Sequence, residues 1–219
     1  MPGFSIYRND RNSKGGGVAL LINNNILHNE VILPQIPNTQ AVGVEINCNN
    51  IMLLLVQIYI TQNKLSPSDL NKIFQLRNKV IIMGDFNARL PEWNCFSSNS
   101  NGTSLINFCL NKHIKIAAPD LPRHHPKIDR PSIIDFFLIK NYDNYTRPVT
   151  ECILSSDHNP VLLNLNDNVD QRIRNRIHDY KNVLWHKFRK YIDENINLSF
   201  HISTKEQVGQ KVTELILLN

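Results

Sequence analysis

Asp85 and Asn87 stand two residues apart where the apolar run VIIM, residues 80–83, gives way to GDFNARLPEWN, residues 84–94. Side chains two apart in a strand share a face, so a strand crossing a core would present both at its mouth. A carboxylate and a carboxamide at such a mouth suit phosphodiester hydrolysis. That reaction needs an oriented water and compensation for the negative charge that builds on phosphorus. Two further stretches have the same texture. SIIDFFLIK, residues 132–140, sets Asp135 inside an apolar run, and SSDHNPVLLNL, residues 155–165, places Asp157 and His158 just before another. Read singly, each has an ordinary explanation: Asp and Asn favour turns, and a histidine before a strand is usually a loop residue. Three apolar strands, each with an acid or a histidine at a similar place, form a constellation.

Eight segments read as strands: 18–22, 41–46, 51–60, 80–84, 114–117, 133–139, 149–154 and 161–165. Residues 66–79 read as a helix, capped by Ser66 with Pro67 in the first turn and Asp69 at the positive end. A second helix is expected over 103–112, with Leu105, Ile106, Cys109 and Leu110 on one face. Strands with little polar alternation imply buried sheets, so these pieces suggest an α/β fold of two stacked sheets flanked by helices. Beyond Leu165 the texture turns polar. Residues 166–183 read as a linker and 184–219 as a helical segment, its second helix opening at a capping box of Thr204 and Gln207.

The formal net charge is +5 and the isoelectric point about 9.0, a balance that favours polyanionic partners. The loop APDLPRHHPKIDR adds Arg123, Lys127 and Arg130, which could grip backbone phosphates, although a solvated loop would look the same. Cys48, Cys95, Cys109 and Cys152 form no CxxC pair, so reduced thiols are expected in place of disulfides or a zinc centre. No signal core opens the chain, and its longest apolar run is too short to span a bilayer. A protein of the nucleus or cytoplasm, neither secreted nor membrane-bound, is the resulting expectation.

In order and spacing, Tyr59 in IYI, GDFNA at 84–88, SIID at 132–135 and SDHNPV at 156–161 resemble the endonuclease/exonuclease/phosphatase superfamily. The resemblance is strongest to the endonuclease domain of jockey-like non-LTR retrotransposons, and it spans about residues 5–165. It implies a four-layer sandwich of two mixed β-sheets flanked by helices over residues 1–165. Residues 184–219 would then lead toward a reverse transcriptase domain. It further implies that Asp85 binds or orients the attacking water and Asn87 holds the phosphate or the water. His158 would contact a nonbridging oxygen with Asp135 behind it, Tyr59 would bond the scissile phosphate, and Asp157 would be a metal ligand. Mg2+ or Mn2+ is the implied cofactor, double-stranded DNA the substrate, and element RNA a partner through the rest of the polyprotein.

The family pattern also has an early Asn and a strand-ending Glu, the principal metal ligand, with no counterpart here. The sequence is therefore expected to lack the sandwich's first strands, to bind metal weakly and to have little or no activity alone. Two other functions fit less of the pattern. One is a catalytically silent module that binds nucleic acid or protein. The other is a phosphoesterase acting on small phosphorylated substrates, for which SIIDFFLIK lacks the expected arginine.

Overall fold

The computed structural model describes residues 2–10, 17–37, 39–61, 64–120, 132–151, 158–172 and 184–195. Its centre is a six-stranded mixed sheet. A hairpin begins it: β4 (Thr39–Cys48) and β5 (Ile51–Ile60) pair antiparallel through a two-residue turn, Asn49 and Asn50. Both turn residues take positive φ, 50° and 63°, the geometry that matches strand twist in tight hairpins and that Asn tolerates well. From β5 the chain crosses through α1 (Pro67–Phe74) to β6 (Val80–Asp85), which lies parallel to β5. Farther along, α2 (Ser100–Lys112) leads to β7 (Lys115–Ala117), and β8 (Asp135–Lys140) inserts antiparallel between β6 and β7. At the opposite edge β3 (His28–Val31) pairs with β4.

Both faces of this sheet are buried. Leu54, Val56, Ile58, Val80, Ile82, Phe136 and Leu138 pack on one face with Leu70, Ile73 and Phe74 of α1 and Leu105 and Phe108 of α2. Val44, Ile46, Leu53, Ile81, Phe137 and Ile139 line the other, against Val18, Leu20 and Ile22. Those three come from β2 (Gly17–Asn23), which pairs with β1 (Phe4–Asp10) and alternates buried and exposed along its length. A short antiparallel pair, β9 (Val149–Thr150) and β10 (Val161–Leu162), adds Val161 to the same side. This is the expected α/β sandwich. Among the described residues its second sheet is two separate two-stranded ladders, and α1 and α2 both cover the same face.

Several expected boundaries move for local reasons. The first helix stops at Phe74, well short of residue 79, and Lys140 at the end of β8 donates to the Phe74 carbonyl (2.7 Å), which has no helical partner there, and to the Arg77 carbonyl (3.2 Å). The second helix starts earlier than expected, at Ser100, since Asn99 caps it through Gly102 N–H. Segments 4–10 and 28–31 are strands that sequence patterning did not mark. Residues 166–172, expected in the linker, run along the sandwich. Asp170 N–H bonds the Asn47 carbonyl and Asn49 N–H bonds the Asn168 carbonyl, while the Asp167 carboxylate accepts from Tyr142, Asn144 and Asn49. The first compact unit accordingly spans Met1–Arg174. Asn175–Asn219 forms a second unit, in which Trp185–Asn195 is helical as expected. The helix expected from Thr204 lies outside the described residues.

Gly84 fixes how closely β6 approaches β5. Its φ is +137°, and a β-carbon there would lie 2.0 Å from the Ile58 carbonyl oxygen, which is backbone and cannot step aside. Gly84→Ala is therefore expected to cost about 3 kcal/mol or more, from strain and overlap together. Denaturant unfolding measures this; a loss under about 1 kcal/mol would mean that β6 shifts freely along β5.

Candidate active site

One rung of the central sheet gathers the candidate residues. Tyr59 on β5 stands opposite Asp85 on β6, and Asp85 opposite Asp135 on β8. Two residues deeper on the same face comes the rung Gln57, Met83 and Phe137, and below that the apolar rung Leu55, Ile81 and Ile139. The polarity gradient follows from the period of two: a face that is core for most of its length ends in acids where the strands run out of cover.

His158 joins this rung from the segment before β10. Its Nδ1 lies 2.7 Å from Asp135 Oδ2, with the histidine side chain 36% exposed and the aspartate 21%. With the Nδ1–H donated to the carboxylate, Nε2 is the nitrogen on the far side of the ring. A cavity of about 210 Å³ opens here, lined by Gln57, Met83, Asp135, Phe137, His158 and Asn159 among others.

Asn87 follows the strand end and bends the chain, at φ 45°. Its backbone N–H donates to Asp85 Oδ1 (2.7 Å), and its Nδ2 donates to the Ile60 carbonyl (2.8 Å). The turn expected of an Asp-x-Asn sequence is thus present, and it holds both side chains against the end of β5. Behind it, Phe86 is fully buried and stacks on Phe136, which also meets Trp93, whose indole N–H reaches the Ala88 carbonyl. Aromatic packing anchors the loop on the side away from the carboxylates.

Burial, with the Asp135 carboxylate second, pushes the Asp85 carboxyl up to about 6; the Asn87 N–H, His158 and Arg89 pull the other way.

The structure brings Tyr59, Asp85, Asn87, Asp135 and His158 together. Asp157 and the three basic loop residues Arg123, Lys127 and Arg130 lie outside the described residues. Sequence reading passed over Gln57, whose two-residue spacing from Tyr59 was a usable signal. It also passed over Asn99 and Asn101, which touch the loop through contacts no local pattern reveals.

Asp85 holds its proton in the fold at pH values where the unfolded chain has lost it. Its penalty is absent below about pH 4, grows as pH rises from about 4 to 6, and is complete above 6. Asp85→Asn, which keeps the acceptor for Asn87 N–H, is expected to leave stability unchanged at pH 4. At pH 8 it should raise stability by about 1–2 kcal/mol, allowing for the partial exposure of the group. Urea unfolding at the two pH values tests this; a variant less stable than the parent at pH 8 would contradict it.

Comparison with known proteins places this geometry. Residues 53–162, which contain Tyr59, Asp85, Asn87, Asp135 and His158, match the family model described as endonuclease-reverse transcriptase. The RNA-directed DNA polymerase from the mobile element jockey of Drosophila funebris is 24% identical over 224 residues, covering 97% of this chain and 24% of that protein. The probable RNA-directed DNA polymerase from transposon X-element of Drosophila melanogaster is 28% identical over 171 residues, covering 74% of this chain and 19% of that protein. The chain thus spans about a quarter or less of the length of these relatives. Among solved structures, the endonuclease domain of TRAS1, a telomere-specific non-LTR retrotransposon, superposes with a TM-score of 0.61 at 21% identity, over 76% of this chain and 81% of that one. The chain belongs to the endonuclease-reverse transcriptase family, and its fold is that of the endonuclease domain on which it superposes.

Proposed function

We propose that this domain hydrolyses one phosphodiester of double-stranded DNA and leaves a 3′-hydroxyl from which reverse transcription is primed. The observation that carries this reading is the shared rung of Tyr59, Asp85 and Asp135 with His158 bonded to its end. In the proposed reaction Asp85 orients the attacking water, and its raised ionisation range suits it to accept a proton near neutral pH. Asn87, fixed by the Ile60 carbonyl, holds the phosphate or the water. Asp135 fixes the tautomer of His158 and stabilises its charged form, so that Nε2 meets a nonbridging oxygen. Tyr59 hydrogen-bonds the same phosphate. Arg123, Lys127 and Arg130 are proposed to hold flanking backbone phosphates.

The donor chemistry fits Mg2+ or Mn2+: hard carboxylate and amide oxygens, with a carboxyl group whose ionisation a neighbouring cation would favour. Among the described residues no cluster of three or more His, Cys, Asp or Glu side chains could hold a metal ion. Asp157 is the proposed additional ligand. When bound, the ion supplies positive charge beside the phosphate. No described helix is long and apolar enough to cross a membrane. The proposed setting is the nucleus or cytoplasm, in contact with element RNA through the rest of a polyprotein.

Supercoiled-plasmid nicking over long incubation with Mg2+ tests the reading. Nicking is expected, reduced about 100-fold or more by Asp85→Ala or by His158→Ala. Nicking equal in parent and variants would contradict it. Complete absence of cleavage, with salt-dependent DNA binding the same in parent and Asp85→Ala, would favour a silent binding module. Faster release of phosphate from an inositol polyphosphate than nicking of plasmid would favour a small-molecule phosphoesterase.

A further inference from the structure

The loop that bears Asp85 and Asn87 has no regular structure from Phe86 to Leu90, so its backbone groups need partners from elsewhere. Two asparagines at the start of α2 supply them. Asn99 Oδ1 accepts from Gly102 N–H (2.8 Å), which caps the helix, and also from Arg89 N–H (3.0 Å). Its Nδ2 donates to the Asn87 carbonyl (2.8 Å), and its own N–H donates to the Arg89 carbonyl (3.1 Å). Gly102 lets the helix sit this close, since a β-carbon there would fall 2.1 Å from the Arg89 carbonyl oxygen.

Asn101 is 1% exposed. Its Nδ2 donates to the Phe86 carbonyl (3.0 Å) and, more weakly, to the Thr61 carbonyl (3.4 Å), while its Oδ1 accepts from Leu65 N–H (2.9 Å). Between them the two side chains grip the backbone on both sides of the rung: just past Tyr59 at Thr61, and at Phe86, Asn87 and Arg89 just past Asp85.

A helix cap needs only an acceptor, which Ser, Thr or Asp supplies as well as Asn. What Asn alone among these adds is a donor on the same planar group. In both residues that donor goes to a carbonyl of the loop beside Asp85, and neither donation serves the helix. We infer that Asn99 and Asn101 are positioning residues for the hydrolytic reaction, holding the 86–89 backbone so that Asn87 stays aligned with Asp85. The inference rests on the hydrolytic reading of those two residues. Small displacements of an aligned group cost rate without unfolding anything, because catalysis depends on geometry far more steeply than stability does.

Asn99→Asp separates the two roles, since it keeps the cap acceptor and replaces the donor to Asn87 with a second acceptor. The measurements are thermal unfolding, exchange of the Asn87 side-chain amide protons followed by NMR, and plasmid nicking at saturating DNA. The expected result is a melting temperature close to the parent, Asn87 side-chain exchange faster by about tenfold, as loss of one net hydrogen bond allows, and kcat lower by about tenfold to a hundredfold with KM little changed. Asn99→Ser, too short to reach the Asn87 carbonyl, should behave alike; Asn101→Asp, which keeps the bond from Leu65 N–H but buries a carboxyl group against the Phe86 carbonyl, should speed the same exchange with a lower melting temperature. Unchanged Asn87 exchange in folded variants would overturn the inference, as would failure of all three to fold, which would assign both residues to stability. A parent that does not nick overturns the hydrolytic reading alone, and the exchange data still decide whether Asn99 and Asn101 hold the loop.

Discussion

Asp85 and Asp135 stand directly opposite each other on an antiparallel ladder, an arrangement that like charges oppose. The fold tolerates it because each carboxylate has its own compensation. Asp85 accepts the Asn87 N–H and keeps its proton into the range near pH 6, and Asp135 faces the His158 imidazole. The juxtaposition depends on one register. A slip of β8 by a single residue would send Asp135 to the helix-covered face and bring an apolar side chain to the mouth. Gly84 locks β6 against β5 on the other flank, so the position of Tyr59 follows from the same constraint.

Stability and chemistry sit at opposite ends of the sheet. The Asn49–Asn50 turn closes the β4–β5 hairpin at the end remote from Tyr59. There the 166–172 segment is laced down by backbone bonds and by Asp167, whose carboxylate the Tyr142 hydroxyl holds below the usual range. Between the two ends, both faces of β5, β6 and β8 are apolar and buried. A polar rung that frustrates packing is thereby carried by strands that are apolar and buried elsewhere, the division expected between a scaffold and a site.

Much of this was legible in the sequence, because period-two alternation decides which residues share a face. Asp85 and Asn87 after an apolar run, Asp135 within one and His158 before another were enough to single out residues that the fold brings together, and resemblance supplied their company. Spacing could not supply the rung itself, since the pairing of β6 with β8 joins residues fifty apart and passes through β7. β1 and β3 were missed because FSIYRND leaves Phe4 and Ile6 exposed and HNEV is mostly polar, so neither shows a buried apolar run and both are strands by pairing with β2 and β4. The first helix was drawn too long; the partner of its Phe74 carbonyl, Lys140, lies more than sixty residues downstream. Asn99 and Asn101 were overlooked for a related reason. In the asparagine- and serine-rich stretch FSSNSNGTS they look like turn formers, and only the fold shows that their amides reach the 86–89 backbone.

The proposed function turns on Asp85, Asn87, Asp135 and His158 sharing one end of the central sheet, where a hard cation held by any of them would lie near the rest. Titrating the isotopically labelled chain with Mn2+ and following paramagnetic broadening by NMR tests this without requiring cleavage. Side-chain and backbone resonances of these four residues should broaden together at the lowest Mn2+ concentrations, and Mg2+ should restore them competitively. Broadening that begins at other acidic positions, such as Asp143 or Asp193, and spares the 85–87 segment would contradict the shared site.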